Sequence, residues 1–179
     1  MHKVIVEIAT RDNLLAIVKE VARIMNGVRT QLIEPYEIRF SNKNLSEIIG
    51  KIMEKVASDV FTEKLGYEVR RATSDREPDL FLTVPGIPLE IKMTSTSNAW
   101  TGGEFSKRPF DYLLCSWGGD FNEFFVCCAK LKKSDWKSNM SKNFYGPSLS
   151  LKKLMEIRGN KILVGNVDTK GKMVREKVN

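Results

Sequence analysis

The sequence predicts an α/β fold, in which α-helices pack on a β-sheet. Three observations carry this prediction. Apolar residues between positions 45 and 60 recur every three or four positions, which is the period of an amphipathic helix. A strand-like segment at 77–93 is interrupted by proline and glycine, and two further apolar runs follow at 110–117 and 123–131.

The N-terminal part is predicted to add one strand and one helix. Residues 3–9, KVIVEIA, are strand-like, and the helix that follows carries Leu14, Ile17 and Val21 on one face, with Asp12 or Asn13 as its cap. Residues 26–44 are predicted to be irregular, with a capping residue between Ser41 and Asn44 for the next helix.

The central part is predicted to contain a long helix and then strands. The helix stops at Gly66, YEVRRA forms a short edge strand, and EPDLFLTVPGIPLEIKM forms two strands joined by a turn at Pro85, Gly86 and Pro88. A loop spans 94–108, and FDYLLCSW and EFFVCCAKL form two buried strands. The C-terminal part is predicted to contain a short helix in SLSLKKLMEIRG, a last strand in KILVGNV and a charged end that frays.

Composition favours a nucleic-acid partner. The 179 residues carry 29 Lys plus Arg against 22 Asp plus Glu, a net charge of +7, which suits a polyanion. No apolar run approaches the ~20 residues that span a bilayer, and the N-terminus lacks the pattern of a signal peptide. We therefore expect a soluble cytoplasmic protein of one domain, residues 1–179, with a core at about 44–130.

The cysteine and histidine content limits the chemistry. Cys115, Cys127 and Cys128 have no metal-ligand spacing and are predicted to be small buried residues. His2 is the one histidine, which excludes a catalytic triad and most zinc sites. Any catalysis is expected to use carboxylates and lysines.

Segment 77–93 carries charges on an otherwise apolar strand pair. Side chains alternate along a strand, so Glu90 and Lys92 project from one face and Leu89 and Ile91 from the other. The turn is expected to bring Asp79 beside Glu90. Two adjacent carboxylates repel unless a cation neutralises them, and oxygen ligands suit Mg²⁺. The pattern predicts a metal-dependent phosphodiesterase site.

Pro78-Asp79 followed by Glu90-Ile91-Lys92 resembles the PD-(D/E)xK nuclease superfamily, which includes type II restriction endonucleases and Holliday junction resolvases. The resemblance implies a restriction-endonuclease-like core, with a central mixed β-sheet flanked by α-helices. It also implies that Asp79, Glu90 and Ile91 hold Mg²⁺ and that Lys92 positions the attacking water. The alternative is that Asp79 only begins a strand and that Glu90 and Lys92 form a solvated face.

Many members of the superfamily add an acidic residue from the preceding helix. The segment GKIMEKVASDVFTEKLGY resembles that pattern and assigns this role to Glu54. Helical projection places Glu54 well away from the centre of the apolar stripe, so a surface position remains an alternative. Glu47 and Glu63 are the substitutes.

The loop at 94–108 is the predicted DNA contact. It offers short polar groups, an aromatic ring and basic side chains next to the predicted metal site: Ser95, Ser97, Asn98, Trp100, Lys107 and Arg108. The alternative is a polar surface loop with Trp100 as its packing anchor. Basic residues at 130–143, with Trp136, Phe144 and Tyr145 among or beside them, are a second candidate for contact with DNA.

Together these features predict a Mg²⁺-dependent, sequence-specific endonuclease of the type II restriction class that acts on double-stranded DNA. Cutting both strands of a palindrome requires two sites, so we expect a homodimer, with the N-terminal strand and helix as its contacts. A Holliday junction resolvase, or another structure-selective nuclease of the superfamily, is the alternative enzyme. A catalytically silent DNA-binding module is the alternative from another class.

Overall fold

The computed structural model describes residues 1–66, 68–74, 76–82, 86–141 and 144–178, and the side chains of 138–145 are outside this description. Four α-helices are described: α1 (Lys3–Ile8), α2 (Arg11–Val28), α3 (Asn42–Leu65) and α4 (Leu151–Glu156). The strands are β1 (Val69–Arg71), β2 (Leu80–Leu82), β3 (Ile87–Thr94), β4 (Ala99–Thr101), β5 (Phe110–Gly118), β6 (Glu123–Leu131), β7 (Lys137–Ser141), β8 (Phe144–Ser150), β9 (Lys161–Val164), β10 (Asn166–Val167), β11 (Met173–Val174) and β12 (Glu176–Lys177).

The central sheet is mixed. Its strands lie in the order β1-β2-β3-β5-β6, and β9 and β12 both pair with β6. The β3–β5 pair is parallel, whereas β1–β2, β2–β3, β5–β6, β6–β9 and β6–β12 are antiparallel. The predicted α/β class with a mixed central sheet is confirmed, and the helix and the central-sheet strands between residues 44 and 130 follow in the expected order. The predicted loop at 94–108 is wrong in part, because it contains strand β4 and a 3-10 helix at Glu104–Lys107.

Both faces of the sheet are covered, which explains why β5 and β6 read as continuous apolar runs. Odd-numbered β5 residues such as Leu113 and Cys115 pack with α1, α2 and α3. Even-numbered residues such as Tyr112 and Leu114 pack with α4 and with a second sheet of order β4-β8-β7. Helices therefore flank the sheet on both sides.

Helix α3 begins and ends where the sequence predicts. The hydroxyl of Ser41 accepts a hydrogen bond from the backbone N–H of Asn44 at 3.2 Å, and Gly66 ends the helix with a left-handed φ of 68°. Gly50 faces the sheet, and a Cβ at that position would make ordinary van der Waals contact with the Cβ of Met93, at 3.7 Å. The helix is thus held against β3.

The N-terminal expectation was wrong in part. Residues 3–8 form helix α1, not a strand, with Ile5 and Ile8 buried. A short apolar segment fits either period, and the spacing of Ile5 and Ile8 places both on one helical face. The cap of α2 is Thr10, whose hydroxyl accepts from the N–H of Asn13 at 3.3 Å, so Asp12 and Asn13 are not the cap.

The C-terminal expectation was also wrong in part. Helix α4 and strand β9 form as predicted, but the charged end does not fray, because β12 joins the sheet and Val178 is buried. Two charged side chains fix this segment. The guanidinium of Arg175 donates to the hydroxyl of Ser116 at 2.7 Å, and Glu176 accepts from Arg11 at 2.6 Å.

Several smaller expectations have clear outcomes. Cys115, Cys127 and Cys128 are buried free thiols, as predicted. Gly86 has a turn-forming φ of 80°, whereas Pro88 lies inside β3. Some residues that the sequence predicts in strands, a turn or a basic segment lie outside the described residues: Tyr67, Val84, Pro85, Lys142 and Asn143. Within the described residues, no helix has the length and apolarity to cross a membrane.

Candidate active site

The β2–β3 pairing brings Asp79 to Glu90. Leu80 pairs with Leu89, so one further step along this antiparallel register places Asp79 opposite Glu90. The backbone N–H of Asp79 donates to Glu90 Oε2 at 3.3 Å, and Asp79 Oδ2 accepts from the N–H of Ile91 at 2.7 Å. The predicted proximity of the two carboxylates is confirmed.

Strand β3 alternates as predicted. Leu89 and Ile91 are buried in the core beneath α3, and the side chains of Glu90 and Lys92 meet on the other face. The ammonium of Lys92 forms an ion pair with Glu90 Oε1, and its side chain remains 24% exposed. Ile91 has a buried apolar side chain, so any contribution to a metal would come from its backbone carbonyl.

Glu54 on α3 is the third carboxylate of the group. Its side chain is buried and accepts two hydrogen bonds from the ammonium of Lys51, at 2.8 and 2.9 Å, and it interacts directly with Asp79. Glu47 and Glu63 lie instead in exposed ion pairs with Lys43 and Lys64. Of the three acids that the sequence left open, Glu54 is thus the one that faces Asp79.

One cleft of about 400 Å³ lies at these acids, and Glu54, which is buried, is not among the residues that line it. Asp79, Glu90 and Lys92 lie in its wall, and Lys51 lies on the α3 side. Lys51 is not among the site residues predicted from the sequence, although its position three residues before Glu54 places the two side chains on adjacent turns of the helix. The remaining lining residues are Ala72, Thr73, Ser74, Glu77, Gly103, Glu104 and Phe105.

Burial and mutual repulsion disfavour the charged forms of these acids. Burial, together with the negative charge of Asp79, raises the pKa of Glu90 from its ordinary 4.5 to about 7, although Lys92 acts in the opposite direction. Burial and Asp79 also raise the pKa of Glu54, and Lys51 partly offsets that shift. Glu54 and Glu90 therefore take up a proton more readily than exposed carboxylates do.

The donor chemistry suits a hard divalent cation, but the carboxylates are turned toward internal donors. Asp79 accepts from Ile91, Glu90 contacts Lys92, and Glu54 accepts from Lys51. Accordingly, no group of three or more His, Cys, Asp or Glu side chains in the described residues is arranged to hold a metal ion. Carboxylate and carbonyl oxygens are nevertheless the ligand types that Mg²⁺ prefers.

The predicted DNA-contact residues separate into three groups. Lys107 and Arg108 line a second cleft beside the carboxylates. Ser95, Ser97 and Asn98 follow the far end of β3, about 16 Å from Glu90 at the strand rise of 3.3 Å per residue. They do not line the carboxylate cleft, and their contact with DNA stays a prediction.

Trp100 forms the third group, and its predicted contact with DNA is wrong. The side chain is 1% exposed, and its indole N–H donates to the backbone carbonyl of Cys115 at 2.8 Å. The ring packs near Phe125, so it cannot stack on a base without leaving the core. Trp100 is the packing anchor of β4, which was the alternative that the sequence left open.

The basic segment at 130–143 also differs in part from its predicted role as a second DNA contact. Trp136 is buried and contacts Tyr112 edge to face, with ring centroids 5.4 Å apart, so it does not present its ring to DNA. The side chains of Phe144 and Tyr145 lie outside the described residues. The exposed Lys132, Lys133 and Lys137 remain candidates for phosphate contact.

Comparison with known proteins gives no assignment. The chain matches no protein-family model, and a search of curated proteins finds no match. The function must therefore be argued from the residues of the site.

We predict that Trp100→Leu lowers stability without weakening DNA binding. The substitution removes a buried ring and leaves the Cys115 carbonyl without its donor, which should reduce the free energy of unfolding by roughly 2–4 kcal/mol in a urea titration. Duplex binding by fluorescence anisotropy, measured where the variant is fully folded, should be unchanged. A tenfold weaker affinity in the folded variant would restore a stacking role for Trp100.

The shifted pKa of Glu90 predicts a pH-dependent stability difference between the wild type and Glu90→Gln in EDTA. The folded protein binds the Glu90 proton more tightly than the unfolded chain does, so the stabilisation is complete below pH 4.5 and is lost as pH rises through about 7. This shift in the pKa of Glu90 corresponds to about 3 kcal/mol in the free energy of unfolding. Thermal unfolding from pH 5 to 8 should therefore favour the variant increasingly, and a constant difference would contradict the raised pKa.

Proposed function

We propose that the protein is a Mg²⁺-dependent endonuclease of the restriction-endonuclease-like class, which hydrolyses phosphodiester bonds of double-stranded DNA in the cytoplasm. The observation that carries the proposal is the convergence of Asp79, Glu90 and Lys92 on one cleft, with Glu54 beside Asp79 on α3. Glu54 and Glu90 are buried, and burial together with the charge of Asp79 raises the pKa values of both. The PD-(D/E)xK pattern names these same positions.

The chemistry divides among the residues of the cleft. Bound Mg²⁺ would supply a Lewis acid for the phosphate and lower the pKa of a coordinated water. Asp79 and Glu90 would bind the ion, and Ile91 would add its carbonyl. Lys92 lines the cleft beside Glu90, where its ammonium would orient the attacking water and offset phosphate charge. Glu54 would orient the site from α3, with Lys51 beside it.

The carboxylate cluster argues against the silent DNA-binding module. A module that only binds a polyanion gains nothing from buried acids whose charges repel one another and the DNA. Perturbed carboxylates in a cleft are typical of catalytic sites. A Holliday junction resolvase would use the same cluster, so substrate structure distinguishes that alternative.

The homodimer remains part of the proposal, with a revised surface. The apolar faces of α1 and α2 pack inside the protein, with Ile5 and Ile17 fully buried, so they are not available for a partner. The exposed large apolar residues nearby are Val6 on α1 and, between α2 and α3, Leu32, Tyr36 and Phe40. Light scattering of the purified protein, alone and with duplex DNA, tests this arrangement.

The direct test is incubation with mixed plasmid DNA in Mg²⁺ and in EDTA, followed by sequencing of the product ends. Discrete Mg²⁺-dependent fragments that share one short sequence support the restriction class. Cleavage of four-way junctions with intact duplex supports the resolvase. Intact DNA of both kinds would contradict the nuclease proposal.

We predict that Asp79→Asn abolishes cleavage and preserves DNA binding in Ca²⁺. The amide keeps the size of the side chain but removes the charge that the metal requires. Asp59→Asn is the matched control, since Asp59 is an exposed α3 acid paired with Lys55. Lys92→Ala should lower the cleavage rate by about two orders of magnitude with little loss of affinity. Retained cleavage in Asp79→Asn would remove Asp79 from the mechanism.

A second prediction separates the acids of α3. Glu54→Gln should reduce the cleavage rate at least roughly tenfold, because Glu54 interacts with Asp79, and it should not lower stability in EDTA. Glu47→Gln is the matched control on the same helix, in an exposed ion pair. Single-turnover cleavage assays and thermal unfolding measure both effects. Equal activity of the two variants would assign Glu54 a structural role only.

A further inference from the structure

A second cleft adjoins the carboxylate cleft and has no role in the chemistry described so far. It measures about 580 Å³ and is lined by Arg76, Glu104, Phe105, Lys107 and Arg108. Glu104 and Phe105 line both clefts. A ligand that occupies the carboxylate cleft therefore borders directly on this basic cleft.

Two of its three cations have no acidic partner among the residues that the structure describes. Lys107 pairs with Glu104, at 2.9 and 2.7 Å to the two carboxylate oxygens. For Arg76 and Arg108, the described part of the chain provides no ion pair. An uncompensated pair of guanidinium groups at a cleft wall favours an anionic ligand.

Arg108 is held in place by aromatic rings. Its guanidinium lies 5.5 Å from the ring centroid of Phe105 and 5.6 Å from that of Phe110, and both rings are buried. Stacking on a ring face leaves the N–H groups at the edge of the guanidinium free to form a bidentate contact. The side chain therefore loses little conformational freedom when an anion binds.

Arg76 lies on a short segment that is held by hydrogen bonds to its neighbour, Glu77. Glu77, the next residue, accepts hydrogen bonds from the Arg70 guanidinium at 2.9 and 3.1 Å and from the N–H of Thr73 at 2.9 Å. The Arg70 guanidinium beside Glu77 and the Thr73 donors lower the pKa of that carboxyl to about 2. Arg76 stands two residues before Pro78 and three before Asp79. The hydrogen bonds of Glu77 tie this segment to Arg70 on β1 and to Thr73.

The basic cleft is electrostatically close to the acids. Tyr112 lies beside Glu90 in the β3–β5 pairing, and its hydroxyl is buried without a described partner. Burial raises the pKa of Tyr112, the charge of Glu90 adds to that shift, and the charge of Arg108 opposes it. Glu90, which lines the carboxylate cleft, and Arg108, which lines the basic cleft, therefore both lie close enough to the Tyr112 hydroxyl to affect its pKa.

We propose that Arg76 and Arg108 form a binding subsite for a backbone phosphate that neighbours the scissile phosphodiester on the same DNA strand. The subsite rests on the proposed nuclease function and specifies how the substrate strand continues beyond the cut. Successive phosphates recur about every 3.4 Å of helix axis on one strand, so a strand in the carboxylate cleft extends into the adjoining one. Guanidinium groups match phosphate geometry, and no base-edge contact is required.

The test combines neutral phosphate analogues with protein variants in Ca²⁺, where binding is measured without cleavage. Once the cleaved position is mapped, duplexes are made that carry one methylphosphonate at each phosphate within two positions of it. The proteins are the wild type, Arg76→Ala, Arg108→Ala, Arg108→Lys and Arg39→Ala. Arg39 is the matched control, since it is exposed and precedes α3, about 20 Å from Glu54 along the helix at 1.5 Å per residue.

We expect one methylphosphonate next to the cut to weaken wild-type binding about tenfold. Arg76→Ala and Arg108→Ala should weaken binding of the unmodified duplex by a similar factor, and the same methylphosphonate should then add less than about twofold. Arg108→Lys should lie between these values, and Arg39→Ala should retain the full methylphosphonate effect.

Two results would overturn the subsite, and a third would overturn the function on which it rests. Undiminished methylphosphonate effects in Arg76→Ala and Arg108→Ala would show that neither side chain binds that phosphate. Full wild-type affinity of both variants, with thermal unfolding showing that they are folded, would show the same. Failure of the wild type to bind or cleave any DNA would remove the proposed function itself, which separates that failure from failure of the subsite alone.

Discussion

The candidate site depends on the antiparallel register between β2 and β3. A slip of one residue in that pairing would turn every side chain of β2 to the opposite face and separate Asp79 from Glu90. The register is strongly specified, because Leu80, Leu82 and Leu89 are fully buried under α3 and would otherwise face the cleft. The same burial that stabilises the sheet therefore positions the carboxylates.

The surrounding fold compensates for the repulsion inside the site. Glu54, Asp79 and Glu90 crowd one region, and the raised pKa values of the two glutamates indicate that their charged forms are disfavoured. Cores on both faces of the sheet supply apolar burial far from these charges. Lys51 and Lys92 neutralise part of the acid charge. A domain of this size can retain such a cluster because its stability comes from elsewhere.

The periodic features could be predicted from the sequence, and the loop features could not. The two-residue period places Glu90 and Lys92 on one face, and the helical period identifies α3. Glu54 lies at the flank of the apolar stripe, and it interacts with Asp79, 25 positions later, a contact that projection of one helix does not contain. Residues 3–8 are too short for either period to decide, and Arg76 stands in a loop without any period.

The charge arrangement also accounts for how an acidic centre could bind a polyanion. Three carboxylates alone would repel DNA. Binding therefore requires cations whose charge is not neutralised by those acids. Lys51 and Lys92 are engaged with Glu54 and Glu90, which leaves the neighbouring cleft as the source of attraction. On the proposed function, Arg76 and Arg108 would provide it from the neighbouring cleft, while bound Mg²⁺ would reverse the sign of the charge at the acids. Affinity and catalysis would then reside in adjacent clefts, so that loss of the arginines weakens binding and loss of the carboxylates stops cleavage.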